Sequence, residues 1–399
     1  MKVLVLNSGS SSIKFQLFNM EEEKVLAKGL VERIGIDDSG IEYENSNGQE
    51  VEKAMDIKNH KEGIKHVVEM LLDPEIGVLN SIDEINAVGH RVVHGGEKFA
   101  ESTLITDEVI DKIEEVSTLA PLHNPHNLSG IRVCKDLLPE KPQVGVFDTA
   151  FHQSMPEEAY IYAIPYEYYE EHGVRRYGFH GTSHKYVANR AAALMEKDLD
   201  ELKIITCHLG NGASIAAVNK GDSVDTSMGM TPLEGLVMGT RSGDIDPAII
   251  PFLMDKENLS TKEIDNILNK KSGLLGVSGI SNDSRDVRQA AHNGNHRAQL
   301  ADQVFSYRVR KYIGAYLAVL NGADAVVFTG GIGENAAGVR EHILEKLDNL
   351  GFELDTEANK VRGEEREITT KNSKVKAFVI PTNEELVIAR DTKNIVENQ

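Results

Sequence analysis

Two stretches of this 399-residue chain share one grammar: "KVLVLNSGSSSIKFQLF" at residues 2–18 and "KIITCHLGNGASIAAVNKG" at residues 203–221. Each reads as an apolar strand, a turn of Gly, Ser and Asn, and a second strand. The match is in pattern and not in letters. It predicts an internal duplication in which each half opens with a β-hairpin. The length agrees, since 399 residues exceed what one compact core organises.

The rest of the chain reads as α/β. "INAVGHRVVHGG" (85–96) is a strand ending in glycines, and "QVGVFDTAF" (143–151) a buried strand ending at Asp148. Residues 106–119 are helical in pattern. Residues 300–320 predict a long helix with Val304, Ile313, Leu317 and Leu320 near one stripe, stopped by Gly322. "DAVVFTGGIGENAAGVREHILEKL" (324–347) is strand, glycine turn, helix, and the charged stretch 355–374 is a solvated surface. "PTNEEL" (381–386) opens a final helix, with Thr382 and Glu385 spaced as a capping box. These elements predict one domain over 1–150, joined by the last helix at about 384–399, and a second over 151–383.

The formal net charge is −20, which argues against nucleic acid or acidic membranes as partners. An acidic protein that binds an anion must build a local cluster of cations. Cys134 and Cys207 have no CxxC spacing, so a reducing compartment is expected and a disulfide framework is not. The few apolar residues before Asn7 are too short for a signal peptide, and no segment approaches the ~20 apolar residues of a membrane span. The expectation is a soluble, cytoplasmic protein.

The chemistry concentrates in loops. In the first hairpin, the small residues from Ser8 to Ser12 leave backbone amides and hydroxyls open to an anion, and Lys14 adds charge. This is no Walker A loop, because G-x-x-x-x-G-K-[ST] is absent and a strand follows. "HLGNGAS" (208–214) is the second such turn, and two together suit a polyphosphate. In "GGIGENAAG" (330–338), Gly331, Gly333 and Ala336 satisfy G-x-G-x-x-[GA], with Asp355 about twenty residues on. That pattern also fits a nicotinamide-dependent dehydrogenase, although little chain remains to complete its nucleotide domain. Arg91, His123, His180, Arg241 and Arg285 all lie in loops at the ends of apolar runs, as the required cations. The pairs His123/His126 and His180/His184 lack H-E-x-x-H spacing or cysteine partners, so zinc is not expected. Asp148 ends a buried strand, where a carboxylate needs a partner. Asn7, Asp148 and Glu384 could supply oxygen ligands to a hydrated Mg²⁺.

Seven motifs occur in order along the whole chain: "NSGSSSIKF", "GHRVVHGG", "GVFDTAFH", "YGFHGTSH", "HLGNGAS", "DTSMGMTPLEGLVMGTRSGDIDP" and "FTGGIGEN". In these the sequence resembles the acetate kinases, within the acetate and sugar kinase/heat-shock 70/actin superfamily. The resemblance implies two duplicated actin-like (ribonuclease H-like) domains, mixed β-sheets flanked by helices, with the active site in the interdomain cleft. It implies a homodimer, ATP as co-substrate, and Mg²⁺ with Mn²⁺ as a substitute. It implies reversible phosphoryl transfer from ATP to acetate, giving acetyl phosphate and ADP. Asn7 and Glu384 would hold the metal. Lys14, Ser10 and Ser12 would contact phosphates. His208, Leu209, Gly210, Asn211, Gly212, Asp283, Ser284, Arg285, Gly331, Ile332, Gly333, Glu334 and Asn335 would bind ATP. Arg91 and Arg241 would hold acetate and the transferring phosphoryl, with His180 stabilising the transition state, His123 nearby, and Asp148 as a further catalytic residue. Val93, Leu122, Phe179 and Pro232 would line the methyl pocket. The same motifs are compatible with a propionate kinase of this family and, less well, with a non-enzymatic actin-like ATPase.

Overall fold

The computed structural model describes residues 1–398. The chain forms two compact units, Met1–Phe151 with Asn383–Gln399, and His152–Thr382.

In unit 1, strands β1 (Lys2–Ser8), β2 (Ser12–Asn19), β3 (Lys24–Glu32), β4 (Gly40–Asn45), β5 (Glu50–Ala54), β6 (Ala87–Val92), β7 (Thr103–Leu104) and β8 (Gln143–Phe147) make one sheet. Its order is β5-β4-β3-β2-β1-β6-β8-β7. Unit 2 holds β9 (Lys203–Leu209), β10 (Ala213–Asn219), β11 (Asp222–Thr226), β12 (Ala325–Thr329), β13 (Arg366–Glu367) and β14 (Lys376–Val379). Their order is β11-β10-β9-β12-β14-β13. The segment β3-β2-β1-β6-β8 repeats as β11-β10-β9-β12-β14, antiparallel through the first three strands and parallel through the last three. The repeat read in the hairpins is therefore a repeat of topology.

Apolar alternation builds the cores. In unit 1, Leu4, Leu6, Ile13, Phe15 and Leu17 of the hairpin pack with Ile64 and Val67 of the helix His60–Leu71. A second cluster joins Val92, Phe147, Ile113 and Ile131. In unit 2 every residue of β12 is buried, as in a strand covered on both faces. The helices Gly181–Leu194 and His296–Val319 both pack on β9.

Several expectations change. The strand at 143–151 ends at Phe147, and a 3-10 turn at Ala150–Ser154 follows. The long helix spans His296–Val319, and its buried stripe is Phe305, Val309, Ile313 and Tyr316, while Val304 and Leu317 stay half-buried. Polar Ser306 and Tyr316 face inward there, so the apolar letters alone misplace the stripe. Gly322 does close it, at φ 94° with its N–H bonded to the Leu317 carbonyl at 2.7 Å. The glycine turn at 330–335 is itself a six-residue helix. The stretch 355–374 is mostly exposed, but Ile368 and Thr369 are buried beside the short edge strand β13. The last helix, Glu384–Glu397, has Asn383 as N-cap, its side chain accepting from the Leu386 N–H at 3.1 Å. The Thr382/Glu385 box does not form, because the helix starts one residue later than it requires; an Asn caps at least as well.

This last helix packs on β1, β6 and β8. Its closest approach is at Gly89, where a Cβ would stand 2.5 Å from Thr392 Oγ1 and 2.6 Å from Ile388 Cγ2. Gly89→Ala should destabilise the protein by about 1–3 kcal/mol, read as a lower denaturant midpoint at unchanged slope. A midpoint equal to wild type would show that the helix shifts without cost.

Candidate active site

In open α/β sheets, ligands gather at the carboxyl ends of the parallel strands. In unit 1 those are the ends of β1, β6 and β8. The register Leu6↔His90 brings Asn7 level with Arg91, and Val92↔Phe147 puts Asp148 just beyond. Arg91 donates to Asp148 through Nε at 3.0 Å and Nη2 at 2.6 Å, a two-pronged ion pair. Asp148 is 1% exposed. Glu384 Oε2 lies 4.0 Å from Arg91 Nε, delivered by the N-terminus of the last helix. Lys14 pairs with Glu385 at 2.5 Å.

Burial opposes the charge on Arg91, but the carboxylates of Asp148 and Glu384 outweigh it and raise its pKa. Glu384 is pushed up to about 7, first by burial; Arg91 pulls it down only in part, and Asp148 and Glu385 push it further up. Three carboxylates thus face two cations. A divalent ion would settle the imbalance, and the donors are oxygens, as Mg²⁺ prefers. The Asn7 side chain forms no hydrogen bond among the described residues, so its amide oxygen is available.

The Ser turn is closed by the Gly9 N–H bonding to the Ser12 carbonyl at 2.8 Å, and His60 Nε2 lies 2.6 Å from the Gly9 carbonyl oxygen. Ser10 is exposed and Ser12 half-buried. Val93 is buried, whereas Leu122 is 68% exposed, so unit 1 alone does not enclose a methyl pocket. His123 is exposed at the N-cap of the helix Asn124–Leu137, with no side-chain capping bond.

Unit 2 assembles a second group. His180 precedes the helix Gly181–Leu194 in a left-handed conformation, φ 55° and ψ 24°, a cost for a non-glycine residue that aims its ring. A Cβ on Gly212 would lie 3.6 Å from both His180 Nε2 and Arg241 Nη1, so the hairpin turn faces these two groups together. Arg241 donates to the Pro232 carbonyl at 3.0 Å, and no carboxylate lies within ion-pairing distance of it among the described residues. Burial lowers its pKa. Phe179 is buried next to His180. His208 stacks on His180, ring centroids 4.2 Å apart.

A cavity of 1040 Å³ opens beside this group within unit 2. Gly210, Asn211, Asp283, Ser284, Arg285, Gly331, Ile332 and Asn335 line it. His208, Leu209, Gly212, Gly333 and Glu334 do not. Leu209 is fully buried in β9. The Glu334 carboxylate accepts from the Gly330 N–H at 2.9 Å and the Thr382 N–H at 3.2 Å, taking an amide that a phosphate would need. Asp355 accepts from the Glu357 and Ala358 amides, both at 3.0 Å, and so caps its own turn. Neither group serves the dinucleotide fingerprint. The Arg285 guanidinium beside Asp283 holds that carboxyl down to about 2.

Sequence reading missed Arg288, Gln289, His292 and Arg362 on the cavity wall. The first three follow Arg285 at helical spacing in "SRDVRQAAH", a readable signal. Arg362 had none, since the stretch reads as solvated surface. Fully buried Arg340 holds that segment, donating to the Gly333 carbonyl at 2.8 Å and to Asn359 Oδ1 at 2.8 Å.

The profile of the acetokinase family matches residues 2–390. The chain is 71% identical over 398 residues to an acetate kinase of Halothermothrix orenii, with both chains fully covered. It is 60% identical over 399 residues to an acetate kinase of Methanosarcina acetivorans, covering 100% of this chain and 98% of that one. Among solved structures, Porphyromonas gingivalis acetate kinase superposes at a TM-score of 0.96 with 51% identity over 99% of each chain. A propionate kinase from Francisella tularensis superposes at 0.92 with 47% identity, covering 98% of this chain and 99% of that one.

The raised pKa of Glu384 has a consequence for stability. Its folded value, about 7, lies above its ordinary 4.5. The fold therefore favours the neutral acid: no penalty exists below pH 4.5, and a penalty grows as pH rises through 7. In EDTA, Glu384→Gln should gain stability over wild type between about pH 5 and pH 8, by no more than about 3 kcal/mol. Denaturant midpoints at several pH values check this; a difference that does not change with pH contradicts it.

Proposed function

The chain belongs to the acetokinase family, and from that premise we propose that it transfers the γ-phosphoryl of ATP to acetate, reversibly, giving acetyl phosphate and ADP. The observation that carries this reading is Arg241: a half-buried guanidinium with no carboxylate partner among the described residues, beside His180 and a phosphate-sized turn, in a protein of net charge −20. Such a cation is placed for an anion. Propionate as the preferred acid is less favoured, since the 71% and 60% relatives are acetate kinases and the propionate kinase stands at 47%.

In this reading the nucleotide occupies the unit 2 cavity, against Asn211, Asp283, Arg285 and the 331–335 helix. Arg241 and His180 act on the transferring phosphoryl, together with Arg91 and Lys14 of unit 1. Asn7 and Glu384, with Asp148 behind them, would hold Mg²⁺, which supplies positive charge to the phosphate oxygens when bound. Phosphoryl transfer depends on positioning and on neutralising the equatorial oxygens, which suits a site built mostly of cations. Arg91 orients the acetate carboxylate, and Val93, Leu122, Phe179 and Pro232 receive the methyl group. Acetate is already ionised at neutral pH, so its oxygen needs no base to attack. Asp148 instead fixes the Arg91 guanidinium, as the two-pronged pair supports, and would help to hold Mg²⁺.

The small acid limits its own affinity. Four heavy atoms at about 1.5 kcal/mol each give roughly 6 kcal/mol, a Kd no tighter than tens of micromolar. One extra methylene changes specificity by about 10–200-fold, so propionate is a secondary substrate. A homodimer fits unit 2, where Phe252 and Tyr307 are 61% and 59% exposed. Two unpaired cysteines and the lack of a helix long and apolar enough to cross a membrane among the described residues accord with a cytoplasmic setting.

Incubation with Mg-ATP and acetate, followed by hydroxylamine, should yield the hydroxamate of acetyl phosphate, with less from propionate. No hydroxamate from any short acid would overturn the reading. Arg91→Ala and Arg241→Ala should each lower kcat by about 10²–10³; the thermal melt should stay unchanged in Arg241→Ala and fall in Arg91→Ala, which leaves Asp148 buried without its partner. Asp148→Asn should raise the Mg²⁺ concentration needed for half-maximal rate. An acid limb in the pH–rate profile that this variant abolishes, with Mg²⁺ dependence unchanged, would instead make Asp148 a general base.

A further inference from the structure

Behind His180 runs a chain of buried polar groups that the reaction as described does not use. His180 Nδ1 lies 2.9 Å from Ser214 Oγ. The same hydroxyl lies 2.7 Å from His184 Nε2, and His184 Nδ1 lies 2.7 Å from Thr206 Oγ1. Ser214, His184 and Thr206 are all 0% exposed. Register explains the alignment. Ser214 pairs with His208 and Ala216 with Thr206, so Thr206, His208 and Ser214 share one face of the β9–β10 hairpin. His180 and His184, four residues apart at the start of the helix Gly181–Leu194, present their rings to that face.

Counting protons decides how this chain is polarised. Burial, and after it the neighbouring His152 and His208, lowers the pKa of His184 well below the ordinary 6.5. At neutral pH His184 carries a single N–H. The Ser214 hydroxyl has one hydrogen between two ring nitrogens, so it donates to one and accepts from the other. Two polarities satisfy this. In the first, Thr206 donates to His184 Nδ1, His184 Nε2–H donates to Ser214, and Ser214 donates to His180 Nδ1. In the second, every bond is reversed. Thr206 Oγ1 has His184 Nδ1 as its one hydrogen-bond partner among the described residues. In the reversed chain the buried Thr206 hydroxyl hydrogen would find no acceptor, a penalty of about 1–3 kcal/mol. The first polarity stands.

We propose that Ser214 is a positioning residue, which with His184 and Thr206 holds the uncharged form of His180 in the tautomer bearing its hydrogen on Nε2. Nε2 is the atom that faces the Gly212 turn beside Arg241 Nη1. His180 thereby donates to an anionic phosphoryl without needing a net charge, and the opposite tautomer would present a lone pair to it. This rests on the role of His180 proposed above.

The experiment is ¹⁵N spectroscopy of the histidine-labelled enzyme at neutral pH, with the His180 signals assigned by their loss in His180→Gln. Ring-nitrogen shifts report which nitrogen bears the hydrogen. The wild type should show His180 as a single Nε2–H tautomer. Ser214→Ala should mix the tautomers and lower kcat about tenfold, leaving both KM values within about twofold, because the lost interaction acts on the transition state. Thr206→Val, at the far end of the chain, should move the His180 signals the same way. An Nδ1–H tautomer in wild type overturns the proposal, as does a Ser214→Ala enzyme with unchanged kcat and unchanged His180 signals. The wild-type spectrum decides the tautomer even where a variant fails to fold. The reading of His180 itself fails on a different result, a His180→Gln enzyme with full kcat.

Discussion

Everything in the candidate site depends on three parallel strands in each unit ending side by side. A hairpin strand is extended by two further strands in the same direction, β1-β6-β8 and again β9-β12-β14. Parallel strands expose their carboxyl ends together, and the loops that leave them share one edge. Asn7, Arg91 and Asp148 come from three such ends in unit 1. His208, the Thr329–Gly330 corner and the Thr382–Asn383 exit come from three in unit 2. Residues far apart in sequence meet because the strands beneath them have no freedom to slip: one step of register would exchange the buried face for the other.

On that edge, charge is arranged against the protein's own field. An acidic chain repels anionic substrates at long range. Each cation that counters this is held in a defined way. Arg91 is fixed by Asp148, at the cost of burying both charges, a cost that excellent two-pronged geometry offsets. Arg241 is held by a carbonyl, which orients it without neutralising it. Neutralisation is left to whatever binds. The same logic separates Glu384 from the other acids: a carboxylate pushed up to about 7 by burial takes on its charge more readily when a cation arrives.

What could be read from the letters follows from the range of the physics. Strands and hairpins were legible because period-two alternation is local, and the repeat was legible because two hairpins carried it. The full strand order rested on ordered motifs, since pairing between β1 and β6 spans some eighty residues and leaves no local trace. The final helix was legible but its cap was not, because Thr382 and Asn383 are both good caps and only the helix start chooses between them. The partners of Glu334 were hidden for a similar reason: an acid in a glycine turn gives no sign in the letters that it accepts from the Gly330 and Thr382 amides. The 180/184 spacing was visible, but Ser214 was not, because it reaches those rings only through the hairpin register.

The duplication also explains why the two hairpins do different work on one scaffold. In unit 1 the turn residues lie between the paired residues Ser8 and Ile13; in unit 2 between Leu209 and Ala213, one residue fewer. Asn7 faces Lys14 across the first hairpin, and His208 faces Ser214 across the second. The equivalent cross-strand position therefore holds an oxygen donor opposite a cation in one unit, and an imidazole opposite a hydroxyl in the other. The first pairing can meet a metal ion and a phosphate directly. The second, packed under the helix Gly181–Leu194, meets the ring of His180: Ser214 Oγ lies 2.9 Å from its Nδ1 and His208 stacks on it. A cross-strand pair is the smallest unit a hairpin offers for change. Altering that pair, and the turn by one residue, is enough to turn a charge-bearing edge into one that sets the hydrogen on a neighbouring side chain.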